Sequence, residues 1–325
     1  MNEIQFLHKN IRNWEKLEKL LESNYGADPD QLSDLYIGLT DDLAFARTFF
    51  PNTKTESYLN QLTQKAHGVL YQNQPTDKRR IFRFWKEEFP VLVYSERKKV
   101  AISFLIFFIS ALIGIVSNKY DVRFVRAIMG DTYVNMTLSN IEEGDALAVY
   151  KSMNKVEMFL GISWNNIQVS FYAFITGVFT ALGTGFILLR NGVMLGTFHA
   201  FLAEHGFLLE SIATIWIHGT LEISAIIIAG GAGIVMGNSI VFPGTYSRIQ
   251  SFRMGAVKGI KMVMGLVPVF VVAGFLEGFV TRNTHAPYVL RFTIIALSLL
   301  FLVMYFYFYP RKLIFKRNNY GKGSD

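Results

Sequence analysis

His218 and Glu222 stand four residues apart inside an apolar run, 207–236, long enough to cross a bilayer. One helical turn separates them, so an imidazole and a carboxyl share a helix face. Roughly 20 apolar residues span the ~30 Å of hydrocarbon, and Glu222 falls near the middle of the run. An ionised side chain there costs on the order of 2.5 to 3.5 kcal/mol on insertion scales. Such a group faces a partner helix, a cavity or a proton path. Three chemistries fit the pair: a mutual hydrogen bond that fixes packing, proton or substrate handling, and metal ligation helped by His199 or His205. The HExxH arrangement of zinc proteases is absent, as are the G-x-S-x-G, Walker and dinucleotide signatures, and no nucleophile with an adjacent base is visible. The expectation is therefore no catalytic residue, no metal and no cofactor.

The helical period extends the polar pair into a stripe. At 100° per residue His218, Glu222, Ala225, Ala229 and Gly233 share one face. Small residues at four-residue spacing let helix backbones approach closely in lipid. A second run repeats the device with Asn166, Ser170, Ala173, Gly177, Ala181 and Thr184, and a fifth with Ala273, Gly274, Glu277, Gly278 and Thr281. The simplest assembly brings the three faces together, with Asn165 or Asn166, His218, Glu222 and Glu277 as interior hydrogen-bonding groups. Depths counted from the run ends leave Glu277 several ångströms nearer the outer surface than Glu222, so their direct pairing stays open.

The rest of the chain must carry these faces. Among 325 residues 51% are hydrophobic, with 29 Phe and 15 Tyr, which suits a polytopic membrane protein. Apolar runs fall at 100–116, 167–189, 193–202, 207–236, 262–280 and 288–309. The third is too short to span alone and must cross with its polar flanks or enter and return. The expected fold class is all-α: a membrane bundle of about six segments behind an N-terminal soluble helical domain.

The net charge of +7 is concentrated beside the runs. Lys78, Arg79, Arg80, Arg83, Lys86, Arg97, Lys98 and Lys99 precede the first, Arg248, Arg253, Lys258 and Lys261 share one loop, and Arg311, Lys312, Lys316 and Arg317 follow the last. The positive-inside rule then makes all three clusters, and both termini, cytoplasmic. No recognition motif accompanies the basic residues, which argues against nucleic acid and leaves the lipid bilayer as their partner. With no cysteine, disulfides and thiolate sites are excluded. The start has no apolar signal region, so insertion is expected to begin at an internal span.

Four regions follow: a cytoplasmic helical domain at 1–78, a basic aromatic helix at 79–98 suited equally to the headgroup plane or to packing on that domain, a membrane domain at 99–310 and a basic tail at 311–325. Within the third, 117–164 reads as an extracytoplasmic loop with Asp131, Glu142, Glu143 and Asp145. In the first, Tyr36, Asp42, Arg47, Asn60, His67 and Tyr71 form either a polar network or an ordinary amphipathic surface.

The succession Asn165-Asn166, Gly177, Gly183-Thr184-Gly185, Asn191-Gly192 and Gly196, then His218-Gly219-Thr220-Leu221-Glu222, Ala229-Gly230-Gly231-Ala232-Gly233 and Ala273 to Thr281, resembles the stage II sporulation protein M family. The soluble part resembles its longer members through Leu35-Tyr36, Asp42-Leu43-Ala44, Ala46-Arg47 and Ala66-His67. Ile217 departs from the family, which often has proline before the histidine. The resemblance adds Asn191 to the polar set and Gly185 to a packing set of Gly177, Ala181, Ala225, Ala229, Gly233, Gly274 and Gly278. It implies a prokaryotic cytoplasmic-membrane protein; sporulating relatives resemble a membrane partner that holds peptidoglycan-degrading enzymes at the engulfing septum. A non-enzymatic scaffold with protein partners in the envelope is the leading expectation. A six-span transporter or lipid permease and an intramembrane metallo-enzyme are the alternatives, and the small-residue stripes suit a homo-oligomer as readily as one chain's interior.

Overall fold

The computed structural model describes residues 2–22, 29–72, 78–121, 123–144, 146–148, 154–283 and 286–320. The described residues are helical, with no strand, and the chain forms two compact units, Met1–Ile81 and Phe82–Asp325.

The first unit contains α1 (Glu3–Glu22), α2 (Pro29–Phe49) and α3 (Lys54–Gln72). Apolar residues at helical spacing bury Phe6, Trp14, Leu17, Leu39, Leu59 and Leu62 between them. The Trp14 indole N–H donates to Asp42 Oδ2 at 2.8 Å, and Arg47 donates to Asn60 Oδ1 at 2.8 Å. Asp42 and Arg47 thus belong to separate pairings. The Tyr71 side chain lies outside the described residues.

α4 (Lys78–Arg83) crosses the boundary between the units, and the second unit continues with a π-helical turn Phe84–Glu88 and α5 (Phe89–Ser95). Then come α6 (Arg97–Tyr120), the short α7 (Phe124–Met129) and α8 (Asp131–Glu142), α9 (Lys155–Ile175), α10 (Thr180–Glu204), α11 (Leu208–Val241), α12 (Arg248–Phe275), α13 (Tyr288–Val303) and α14 (Tyr309–Tyr320). Among the described residues, five stretches are long and apolar enough to cross a membrane, and the longest, Lys155–Glu204, has 50 residues. That stretch is folded in two.

The fold occurs at Thr180, whose φ of 66° reverses the chain after a 3-10 turn, Thr176–Phe179. Thr184 on α10 then donates to the Ala173 carbonyl on α9 at 2.9 Å, and Thr176 donates to Tyr172 O at 2.7 Å. Backbone carbonyls at the turn, which lipid cannot satisfy, are met by threonine hydroxyls. This corrects the expected segmentation. The run at 167–189 is two helices, and 193–202 is the second half of a full-length α10. Ala181 and Thr184 consequently sit on α10 rather than on the helix of Asn166, yet both helices turn small residues toward α11.

Close contacts fix the helix directions. Asn118 bonds Glu204 and Gly114 meets Thr197, so α6 and α10 run parallel. His199 meets Trp216 and Thr184 meets Gly233, so α10 and α11 are antiparallel. Gly177 of the turn after α9 also meets Gly233, while Phe159 and Ser163 face Gly278 and Gly274, setting α9 against α12. Six segments alternate in direction. The N-terminus of α6, the α11–α12 joint and α14 therefore share one end, and so do the three basic clusters.

α11 is the centre of the unit. An 18-residue window of it is 72% buried, against 17 to 50% in the other four stretches. Its neighbours approach at backbone distance: a methyl built on Gly177 collides with the Gly233 carbonyl, and one on Gly196 with the Ala111 carbonyl. Gly185 differs, because a methyl there meets nothing within 4 Å. At the basic end Trp85 donates to Gly265 O and the Phe89 ring fills the space over Gly265, pinning the residues before α6 to α12. At the opposite end α7 and α8 cap α10 and α11 through Val125, Val134, Phe198, Phe201 and Ile215.

Overpacking a filled contact costs typically 1 to 3 kcal/mol. Gly177→Ala and Gly233→Ala are each expected to lower the detergent-solubilised melting temperature by several degrees, with Gly185→Ala unchanged. Scanning fluorimetry of the three variants checks the ranking; equal shifts would contradict it.

Candidate functional site

α11 presents His218 and Glu222 one turn apart, and α12 reaches them by changing its winding. Leu276–Thr281 is a π-helical turn, continuing α12 with one extra residue per cycle. Glu277 and Thr281 thereby face His218: Nε2 of the imidazole lies 3.6 Å from Glu277 Oε1, and Nδ1 lies 3.1 Å from Thr281 Oγ1. Glu277 thus meets His218, one turn nearer the outer end of α11 than Glu222, which agrees with the depths counted from the run ends. His218 and Glu277 are 4% and 6% exposed, whereas Glu222 is partly accessible. Donor atoms of His218, Glu222 and Glu277 all lie within 4.8 Å of one another. From α9, the buried Asn166 stands beside Glu222. Oε2 of Glu277 is buried with no hydrogen-bond partner.

The remaining expected groups are placed elsewhere. Asn165 is exposed, and Asn191 donates to Ile187 O of its own helix at 2.8 Å. Back-bonding to the preceding turn satisfies that amide without a partner helix. His199 lies against Leu195 O and accepts from the Trp216 indole, and His205 lies against Phe201 O. Their ring nitrogens serve α10 and its neighbour, so neither histidine joins His218. Of the packing set, Ala225, Ala229, Gly233, Gly274 and Gly278 are buried at the seam, and Ala181 abuts Gly237.

Two polar clusters escaped the sequence reading. Arg291, 3% exposed, donates to Glu210 Oε1 at 2.6 Å and to Thr214 Oγ1 at 3.0 Å, while Tyr288 donates to Glu210 Oε2. The only local signal is that Glu210 with Thr214, and Tyr288 with Arg291, sit one turn apart at run edges. At the basic end the buried Glu96 accepts from Lys99 at 2.7 Å and Lys258 at 3.1 Å. Burial raises the Glu96 carboxyl, but the hydrogen bonds and charges of Lys99 and Lys258 outweigh it and hold the group below 4.5. Above Glu277, burial and that carboxylate push the Tyr133 phenol of α8 up to about 12.

Two of the grooves are apolar. One of about 980 Å³ lies between α6, α10, α11 and α13, walled by Phe104, Phe108, Leu112, Ile212, Trp216 and Leu299. A second, about 420 Å³, lies over Leu221 and Ser298. His218, Glu222 and Glu277 line neither.

A buried polar cluster inside alternating apolar helices defines a multi-pass α-helical membrane protein. Residues 103–282 match the family model for stage II sporulation protein M; this is more than half of the chain, which belongs to that family. Residues 4–72 match a domain of unknown function, DUF8413. No curated protein and no solved structure matches.

Two outcomes follow from the overlooked clusters. Removing one partner of a buried ion pair costs about 3 to 5 kcal/mol. Glu210→Ala, which strips the carboxylate from the buried Arg291, is expected near the lower end because Glu210 is partly exposed; a loss in unfolding free energy under about 0.5 kcal/mol would contradict the pairing. Glu96 titrates lower in the folded chain than in the unfolded one. Its contribution is complete above the unfolded value and fades as pH falls through the folded one. Glu96→Gln should therefore flatten the loss of stability below about pH 4.5, read from melting temperature against pH.

Proposed function

We propose that this chain is a non-enzymatic scaffold of the prokaryotic cytoplasmic membrane that holds partners of the cell-envelope machinery. The observation carrying the reading is the state of the membrane core. There Ser103, Thr184 and His218 bond between helices among glycine contacts at backbone distance, which suits a rigid framework better than a passage for solute. Both extramembrane parts are helical modules with surface for docking. The positive-inside rule supports a cytoplasmic side for the three basic clusters and both termini, and an outer side for the α7–α8 cap.

A second reading, a lipid or solute permease, is favoured by one feature. Ser163 and Ser170 are buried on α9 to either side of Asn166 with no partner for their hydroxyl oxygens, and Glu222 is partly accessible, giving a polar thread through the core. Reconstitution separates the two. The purified chain in liposomes is expected to move neither entrapped solute nor labelled lipid, and Glu222→Gln should behave as the parent. Flux in the parent that Glu222→Gln abolishes would overturn the scaffold in favour of the permease.

A further inference from the structure

We propose that His218, Glu222 and Glu277 are the protein ligands of a divalent transition-metal ion of the zinc class, tying α11 to α12. The inference goes beyond the scaffold reading and stands apart from it.

Geometry points to a metal first. Metal–nitrogen and metal–oxygen bonds of about 2.0 to 2.2 Å place tetrahedral donors about 3.3 to 3.6 Å apart. His218 Nε2 and Glu277 Oε1 are 3.6 Å apart, and one ligand atom from each of His218, Glu222 and Glu277 lies within 4.8 Å of the others. The second observation is independent of this clustering. Glu277 Oε2 is buried and accepts no hydrogen bond, although a buried carboxylate oxygen without a partner is among the costlier features a protein core can hold. A bound cation supplies the missing interaction for that carboxylate.

Charge leads to the same conclusion. Two carboxylates and an imidazole lone pair converging in a low-dielectric core repel one another, whereas a divalent ion makes the group neutral. The outer groups are those a metal site needs. Thr281 Oγ1, 3.1 Å from His218 Nδ1, can accept its proton and so direct the Nε2 lone pair at the carboxylates, and Asn166 stands beside Glu222. One imidazole with two carboxylates favours zinc-class ions over magnesium or calcium, which take oxygen donors in larger number. Three protein ligands leave a coordination position for water.

The test uses the full chain in detergent, prepared with zinc in the medium and passed over a chelating resin. Elemental analysis is expected to give about one zinc per chain, falling at least tenfold in Glu277→Gln and His218→Ala. Zinc absent from the folded parent, or retained in both variants, would overturn the proposal. Because those variants risk misfolding, Thr281→Val supplies a gentler probe: loss of an outer-shell partner lowers metal affinity about 10- to 100-fold. Competition between the chain and a chromogenic zinc chelator reads that shift, and unchanged affinity in a Thr281→Val chain with parental melting temperature would equally contradict the site.

Discussion

Hydrocarbon offers no hydrogen bonds, so a polar group on a spanning helix that its own preceding turn does not satisfy needs a partner from another part of the protein. In this chain the partner can reach only because glycines let the helices touch at their backbones. Gly177 against Gly233, Gly196 against Ala111 and Gly274 against Ser163 bring α9, α10 and α12 close enough for side chains as short as threonine and serine to bond across. Thr184 reaches the Ala173 carbonyl, Ser103 reaches the Ile227 carbonyl and Asn166 stands beside Glu222. Remove the close approach and those groups lose their partners together.

The same constraint explains the two departures from regular helix. The reversal at Thr180 falls within an apolar stretch, where exposed carbonyls are costly, and threonines supply the missing donors. The π-helical turn at Leu276–Thr281 rotates Glu277 and Thr281 onto His218. Both act on the seam around α11, and neither requires a change in overall composition. This is why a scaffold and a metal-tied core are compatible readings: each needs α11 and α12 held in one register.

Much of this was legible in the sequence. His218, Glu222 and Glu277 stand out because carboxyl and imidazole groups are rare in apolar runs, and the small-residue faces follow from the helical period. The parallel grouping of basic residues at one end was readable from charge alone. The hidden features have a common cause. Thr176, Gly177, Val178 and Phe179 are as apolar and small as the helices they separate, so a turn there leaves no mark in hydropathy. Asn165 and Asn166 are adjacent and chemically identical, and only the phase of α9 decides that one is exposed and the other buried. Glu210 and Arg291 pair across 81 residues, a distance at which no local pattern operates.

The central claim is that Asn166 and Glu222 meet across the α9–α11 seam, away from lipid. The chain has no cysteine, so a pair can be introduced without background. Oxidative cross-linking in native membranes should join Asn166→Cys to Glu222→Cys within one chain, seen as a fast-migrating band that reductant removes. Asn165→Cys with Glu222→Cys should stay uncross-linked. The reverse pattern would mean that α9 turns its other face inward and that the seam described above does not exist.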